Sequence, residues 1–212
     1  MARPTLVLIG MSGNSTEAFV ALSDRYQIAA ILDDGARHAG TSFEGVPILP
    51  LSRAGDFPQA QFLLFIGSPS SFRARADIVE RLGLPHERYA RFDHPTASVS
   101  RFAQLGGGTV LFDGGLVTSS AQIGDHVLIL PHTVVHHDVT IGDFSLIGTG
   151  VIIAGGAQIG HGCYIGSGSA IGNGVTVGDG ALVGLGSVVV RDVPAGTVVA
   201  GNPARPLPQR GT

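Results

Sequence analysis

The chain has 212 residues and a formal net charge of −3, from 13 basic and 16 acidic residues. Glycine accounts for 32 of the 212 residues, about twice its usual share of ~7%, whereas charged residues make up 14% of the chain against a typical ~25%. With 44% hydrophobic residues and one cysteine, the composition excludes a disordered chain, a disulfide scaffold and a cysteine-ligated zinc site. The pI is near 6.2 and no apolar run reaches the ~18 residues of a membrane span, so we expect a cytoplasmic protein that has no membrane span and does not bind nucleic acid.

The charge is unevenly distributed. All 13 basic residues are arginine, and ten of them lie within residues 3–101. Residues 102–190 contain no basic residue and most of the glycines, and their acids are Asp113, Asp125, Asp138, Asp143 and Asp179. We therefore predict two differently built domains, 1–93 and 94–212.

The N-terminal domain alternates predicted strands and helices. Thr5–Ile9, Gln27–Leu32 and Gln61–Ile66 are short, continuous apolar runs, typical of buried parallel strands. Helices are expected after the first and third strands, the first of them capped by Ser15. The connection that contains Val46–Pro50 is expected to be a loop. The pattern predicts an α/β domain with a small parallel βαβ sheet.

Candidate ligand-binding residues lie at the ends of these strands, where parallel sheets bind ligands. Gly10–Asn14 contains a G-x-x-G turn, Asp33 and Asp34 end the second strand, and Gly67 and Ser68 end the third. The turn is not the G-x-G-x-x-G fingerprint of dinucleotide-binding proteins. These residues are therefore either ordinary turn residues or a site whose acids accept hydroxyl or N–H groups.

The C-terminal domain is a six-residue repeat. Sixteen positions spaced by six, from Val99 to Val189, are all aliphatic, and nine of them are followed directly by glycine. We expect a parallel β-helix in which three hexapeptides form one triangular coil, so that residues 18 apart lie above one another. The aliphatic side chains are expected to stack in the interior, and the glycines to serve a turn conformation that other residues rarely adopt.

These repeats and the ending Asp192–Arg205 resemble the left-handed β-helix acyltransferases. Together with Gly10–Gly13 and the pair Asp33 and Asp34, the whole chain resembles the sugar O-/N-acyltransferase family. That family includes bacterial nucleotide-activated 4-amino-sugar N-acetyltransferases, of the bacillosamine-pathway and GDP-perosamine types, and sialic acid O-acetyltransferases. The resemblance implies acetyl transfer from acetyl-CoA without a metal, in surface polysaccharide biosynthesis, by a homotrimer with active sites between subunits.

The resemblance also implies roles in acyl transfer. Val134–Gly142 matches the family's catalytic stretch, so that His137 would be the general base and Asp138 the carboxylate that orients it. Histidine suits this task because its unperturbed pKa of about 6.5 lies near physiological pH. The backbone N–H of Gly155 would bind the thioester oxygen. The positions that match coenzyme A contacts are Leu146, Gly155, Ser167 and Leu185.

A nucleotide-activated amino sugar is the implied acceptor. The positions that match its contacts are Gly13, Asn14, Asp33, Asp34, Gly67, His132 and His136. Where a relative has an asparagine near the acceptor amine this chain has Leu130, so that role falls to His132 or His136. Asn14 replaces a histidine of the bacillosamine-pathway enzymes, and the base is left open between uracil, guanine and thymine. We favour an amine acceptor over a hydroxyl.

Three alternative functions remain open. One is a sugar O-acetyltransferase of the sialic acid type, and another is a non-catalytic solenoid module. The third is a metal enzyme like the γ-class carbonic anhydrases, because His132 and His137 have the five-residue spacing of that family. Its third histidine is expected one or two coils upstream, where this chain has Gly114, Ser119, Thr96 and Arg101.

Overall fold

Two structural units make up the chain, Met1–Arg91 and Phe92–Thr212, of which a computed structural model describes residues 3–207. The units divide two residues before the predicted boundary, because Phe92–Asp93 pairs with Val110–Leu111 of the second unit. Residues 208–212 of the predicted C-terminal domain lie outside the described residues. Between residues 3 and 207, no helix has the length and apolar character needed to cross a bilayer.

The first unit is built on a five-stranded sheet. Its strands are β1 (Thr5–Ile9), β2 (Gln27–Leu32), β3 (Ser42–Phe43), β4 (Val46–Leu49) and β5 (Gln61–Leu64), in the order β3-β4-β2-β1-β5. All neighbours pair in parallel except β3, which is antiparallel to β4 at one edge. Its helices are α1 (Gly13–Arg25) and α2 (Arg75–Leu82), with 3-10 turns at Ala36–His38, Leu51–Asp56, Phe72–Ala74 and His86–Arg88.

Two expectations for this unit were wrong. The segment assigned to a loop contains strand β4, in which Ile48 pairs with Ile31; proline at each side of its short apolar run obscured the strand pattern. Helix α1 begins earlier than expected, because its N-cap is Ser12 and not Ser15. The two side chains form a capping box in which each hydroxyl accepts the other residue's backbone N–H, at 3.3 and 2.9 Å.

The second unit is a parallel β-helix of three sheets. The six-stranded sheet contains β7 (Ser98–Val99), β10 (Leu116–Val117), β13 (Val134–Val135), β16 (Ile152–Ile153), β19 (Ala170–Ile171) and β22 (Val188–Val189). The five-stranded sheet contains β8 (Gln104–Leu105), β11 (Gln122–Ile123), β14 (Thr140–Ile141), β17 (Gln158–Ile159) and β20 (Thr176–Val177). The eight-stranded sheet contains β6 (Phe92–Asp93), β9 (Val110–Leu111), β12 (Leu128–Ile129), β15 (Leu146–Ile147), β18 (Tyr164–Ile165), β21 (Leu182–Val183), β23 (Val198–Ala200) and an antiparallel β24 (Arg205–Pro206).

Three columns of turns connect these sheets. Turn A leads from the eight-stranded to the six-stranded sheet, turn B from the six-stranded to the five-stranded sheet, and turn C back to the eight-stranded sheet. In one coil they are residues 130–133, 136–139 and 142–145. Partners in neighbouring coils are 18 residues apart, as where Val134 pairs with both Leu116 and Ile152. Turn A therefore runs along the side of the six-stranded sheet where its strands begin, and turn B along the side where they end.

The repeated aliphatic residues form the interior. Each is the second residue of its strand, and those from Leu111 onwards belong to one continuous core. Buried hydroxyls beside them tie one coil to the next. Thr133 donates to the Gly148 carbonyl at 2.7 Å, and Ser145 donates to the Gly160 carbonyl at 2.8 Å. These bonds satisfy carbonyl groups at turns that the sheet ladders leave unpaired.

The expected reason for the repeated glycines was wrong. The glycine after each aliphatic residue does not have a positive φ; an ideal Cβ on Gly166 would instead lie 2.7 Å from the Leu185 nitrogen, in the next coil. Positive φ falls two residues further on, at every sixth residue from Gly108 to Gly186. Five consecutive positions of this second column carry side chains: Ser120, His126, His132, Asp138 and Phe144.

Candidate functional site

Turn B between β13 and β14 carries the predicted base and its carboxylate. Nδ1 of His137 lies 2.8 Å from Oδ2 of Asp138, and the two side chains are 62% and 65% exposed. Asp138 has a φ of 58°, which residues other than glycine rarely adopt. When Nδ1–H donates to this carboxylate, Nε2 of His137 keeps the lone pair that can accept a proton.

Gly155 lies against the imidazole from the next coil. An ideal Cβ on Gly155 would be 2.6 Å from Nε2 and Cε1 of His137. Its N–H donates no hydrogen bond to any group within residues 3–207, whereas the next N–H, of Gly156, donates to the His137 carbonyl at 3.0 Å. A backbone donor without a partner in the described chain therefore belongs to the residue that adjoins Nε2 of the predicted base.

The other predicted site residues of this unit divide between two turn columns. His136 shares turn B with His137, but His132, Ser167 and Leu185 belong to turn A, across the six-stranded sheet. A single chain does not bring these two groups together. Leu146 lies in β15 and is 1% exposed, so its side chain is not open to a cofactor as a direct contact would require.

Turn A also holds a polar cluster that the sequence patterns did not single out. The Thr96 hydroxyl donates to Oδ1 of Asp113 and accepts the Gly114 N–H at 3.1 Å. Nδ1 of His94 lies 2.8 Å from Oγ1 of Thr96 and 3.6 Å from Oδ1 of Asp113. The Thr96 hydrogen bond, and after it the charges of His94 and His132, lower the pKa of Asp113. The 18-residue coil was the available signal, because it places Thr96 and His132 in one column.

The outer faces of two sheets differ in polarity. On the six-stranded sheet the first residues of the strands are mostly apolar, with Leu116 37% and Ile152 48% exposed. On the five-stranded sheet the corresponding residues are polar: Gln104, Gln122, Thr140, Gln158 and Thr176. The six-stranded sheet therefore presents an exposed apolar strip, bounded by turns A and B.

Turn C carries rings that are separate from the predicted base. His126 stacks on Phe144 with ring centroids 4.9 Å apart, and His161 meets Phe144 edge-on at 5.4 Å.

Across residues 3–207, no three histidine, cysteine or acidic side chains are grouped to hold a metal ion.

In the first unit, a cleft of ≈ 300 Å³ lies at the carboxyl ends of β1, β2 and β5, with Asp33 and Gly67 in its lining. Asp33 accepts the Met11 N–H at 2.8 Å, and Asn14 donates to the Gly67 carbonyl at 3.3 Å. Gly13 is the first residue of α1 and is not in the lining. The lining also contains Ser68, which follows Gly67 at the predicted strand end, and two polar residues that the patterns missed, Arg37 and Ser71.

Asp34 belongs to a different cleft, of ≈ 270 Å³, which Arg81 also lines. It accepts the Leu51 N–H at 2.9 Å and lies 3.3 Å from the Arg81 guanidinium. The two adjacent acids at the end of β2 also line together a smaller cleft of ≈ 160 Å³. Behind the first cleft, the guanidinium of Arg75 is fully buried and donates to the Ile66 carbonyl, and burial lowers the pKa of Arg75 to about 9.

Comparison with known proteins adds the following. Residues 120–155 match the family model "Bacterial transferase hexapeptide (six repeats)". The search of curated proteins found no match. The acetyltransferase domain of PglB from Neisseria gonorrhoeae FA1090, in complex with acetyl coenzyme A, is 30% identical, with a TM-score of 0.84 over 97% of this chain and 100% of that one. PerB from Caulobacter crescentus, in complex with CoA and GDP-perosamine, is 27% identical, with a TM-score of 0.86 over 98% and 99%. WeeI from Acinetobacter baumannii AYE shares the fold, at 24% identity and a TM-score of 0.54 over 96% and 99%.

Proposed function

The chain belongs to the hexapeptide-repeat (left-handed β-helix) sugar acyltransferases, and within that family we propose that it acetylates the 4-amino group of a nucleotide-linked 4-amino-4,6-dideoxy sugar. It is a sugar N-acetyltransferase that uses acetyl-CoA as co-substrate. One observation carries the proposed chemistry: the imidazole of His137 has a carboxylate 2.8 Å from Nδ1, and Gly155 adjoins Nε2.

These residues fit the steps of acyl transfer. The acceptor nitrogen attacks the thioester carbonyl carbon, and Nε2 of His137 takes the proton that the nitrogen loses. Asp138 holds the imidazole in the tautomer that accepts this proton and stabilises the imidazolium that results. The N–H of Gly155 donates a hydrogen bond to the oxyanion. The carbon–sulfur bond then breaks, and the proton on His137 passes to the thiolate of coenzyme A.

The cleft of the first unit is the proposed site of the nucleotide. Helix α1 begins at this cleft, and its N-terminal N–H groups favour phosphate oxygens. Arg37 supplies a positive charge, and Asp33 supplies a carboxylate suited to ribose hydroxyls. Binding at these remote groups would contribute to holding the sugar amine in place for attack. The PerB structure, with its nucleotide sugar, supports this acceptor class.

We propose a homotrimer with one site at each subunit interface. When three copies direct their six-stranded sheets towards a common axis, turn A of one copy adjoins turn B of the next. This arrangement covers the apolar strip that includes Leu116 and Ile152. It also joins the coenzyme A positions Ser167 and Leu185 to His137 and Gly155, which a single chain keeps apart.

A thiol-release assay tests the proposed reaction. The purified protein receives acetyl-CoA with UDP-, GDP- or dTDP-linked 4-amino-4,6-dideoxy sugars, and we expect release with one of them. His137→Ala should lower kcat by roughly 10²- to 10⁴-fold, the usual contribution of a general base. His161 is an exposed histidine at turn C, so His161→Ala is the control and should retain activity. Absence of release with all three sugars, or full activity of His137→Ala, would refute the proposal.

A further inference from the structure

The turn A cluster places one carboxylate opposite the catalytic turn. Of the five aspartates in residues 102–190, only Asp113 and Asp138 lie at the two edges of the apolar strip; Asp125, Asp143 and Asp179 lie at turn C. Asp138 is occupied by His137. In the proposed trimer, Asp113 is therefore the acid from the partner subunit that adjoins turn B.

Asp113 is held in place but remains open to a ligand. The Thr96 hydroxyl donates to Oδ1 and fixes the orientation of the carboxylate. The side chain is 51% exposed, and the Thr96 hydrogen bond lowers the pKa of a carboxyl group that is in any case ionised at neutral pH. Two imidazoles act on this carboxylate: Nδ1 of His94 lies 3.6 Å from Oδ1, and the charges of His94 and His132 both lower the pKa of Asp113.

The order of the coils along the chain gives the β-helix a direction. The residues assigned to the acyl donor, Gly155, Ser167 and Leu185, lie in coils after the one that carries His137. Asp113 and His94 lie in coils before it, and each coil rises by about 4.8 Å. The donor positions therefore extend from His137 towards the later coils, which leaves the side of the earlier coils, where Asp113 lies, for the acceptor.

We propose that the partner subunit's Asp113 binds the reacting amine of the acceptor. The ligand is a primary amine or its ammonium form, whose N–H groups donate to Oδ2. The inference rests on the proposed function and on the trimer. The same contact strengthens as the nitrogen attacks and becomes positively charged, so it favours an amine over a hydroxyl at the same carbon. Asp113 is thus the residue that makes this enzyme an N-acetyltransferase.

Kinetics of Asp113→Asn test this role. We expect kcat/KM for the nucleotide-linked 4-amino sugar to fall by about 10- to 100-fold, because the amide lacks the negative charge that stabilises the nitrogen as it becomes positively charged. The 4-hydroxy counterpart, used as a competitive inhibitor, should keep its inhibition constant. Asp143→Asn is the matched control, because it lies at turn C and an amide oxygen can still accept the Asp125 N–H. Unchanged amine kinetics, or an equal weakening of both ligands, would overturn the inference.

Mixed trimers test whether Asp113 acts across the interface. Asp113→Ala and His137→Ala subunits are refolded together, which leaves about a quarter of the sites with both residues intact if these come from different subunits. Activity should then rise well above that of either variant alone. If both residues act within one subunit no site is intact, and absence of recovery would overturn the inference. A wild-type protein that releases no thiol would instead refute the proposed function.

Discussion

At the residue scale, the position of the His137 ring depends on residue 155 being a glycine, which has no side chain. Glycine at 155 is not needed for its backbone, since its φ is not positive and the equivalent residue one coil on is Asn173. It is needed because a Cβ would lie 2.6 Å from Nε2 of His137. The absence of a side chain thus leaves room for the imidazole of the proposed base beside the Gly155 N–H.

Gly155→Ala should therefore reduce turnover without unfolding the protein. The added methyl displaces the imidazole, and a displacement of about 1 Å can cost roughly 10²-fold in kcat. Steady-state kinetics and a thermal unfolding curve measure the two effects separately. Asn173→Ala, in the same position one coil later, should leave kcat unchanged. Wild-type turnover by Gly155→Ala would show that the ring does not depend on this contact.

The sequence predicts some contacts of the site and not others, for a physical reason. His137 and Asp138 are neighbours in the chain, so their contact needs only the local turn, in which Asp138 has a φ of 58°. Asp113 meets Thr96 only because coils stack every 18 residues, and the repeat does not tell which side chains turn towards each other. The proposed amine contact therefore became visible only in the structure.

At the element scale, strain is concentrated in the middle of the β-helix. Every sixth residue has a positive φ, and side chains replace glycine only from Ser120 to Phe144, a range that includes Asp138. A left-handed conformation costs most residues roughly 1–2 kcal/mol. Such local strain persists where the surrounding structure enforces it, and it is typical of functional sites.

Two reciprocal substitutions test this strain. Ser120→Gly should raise the free energy of unfolding by about 0.5–1 kcal/mol, because relief of strain exceeds the entropy cost of glycine. Gly174→Ala should lower it by about 1 kcal/mol, since an added Cβ has no neighbour within 4 Å and only its φ of 65° is unfavourable. Urea unfolding measures both. Equal stability of the two variants would contradict the role assigned to φ.

The repeat predicted which residues of the β-helix point inward but not what its glycines do. Period-six aliphatic residues can form a core only if each strand turns the same residue inward, so the strands follow from the pattern. A glycine in a sequence, by contrast, does not reveal whether it serves a positive φ or a close approach. Gly166 and Gly168 illustrate both causes within one turn.

At the scale of the whole molecule, the apolar strip and the divided site point to the same assembly. Neither turn A nor turn B carries all the predicted active-site residues of the second unit, and the sheet surface between the two turns is apolar. A closed threefold ring satisfies both conditions with one contact, repeated three times. Burial of the strip would stabilise the trimer, and the same contact would complete the active site.

A charge placed within the strip should therefore abolish both assembly and activity. Ile152→Glu buries an unpaired carboxylate in the proposed interface, which costs several kcal/mol per subunit at low dielectric. We expect light scattering to report monomers, and acetyl transfer to fall in parallel, although His137 and Asp138 are unaltered. Gln158→Glu adds the same charge to the first residue of the next strand, on the five-stranded sheet, and should leave a fully active trimer. A monomeric but active Ile152→Glu would show that one chain contains the entire site.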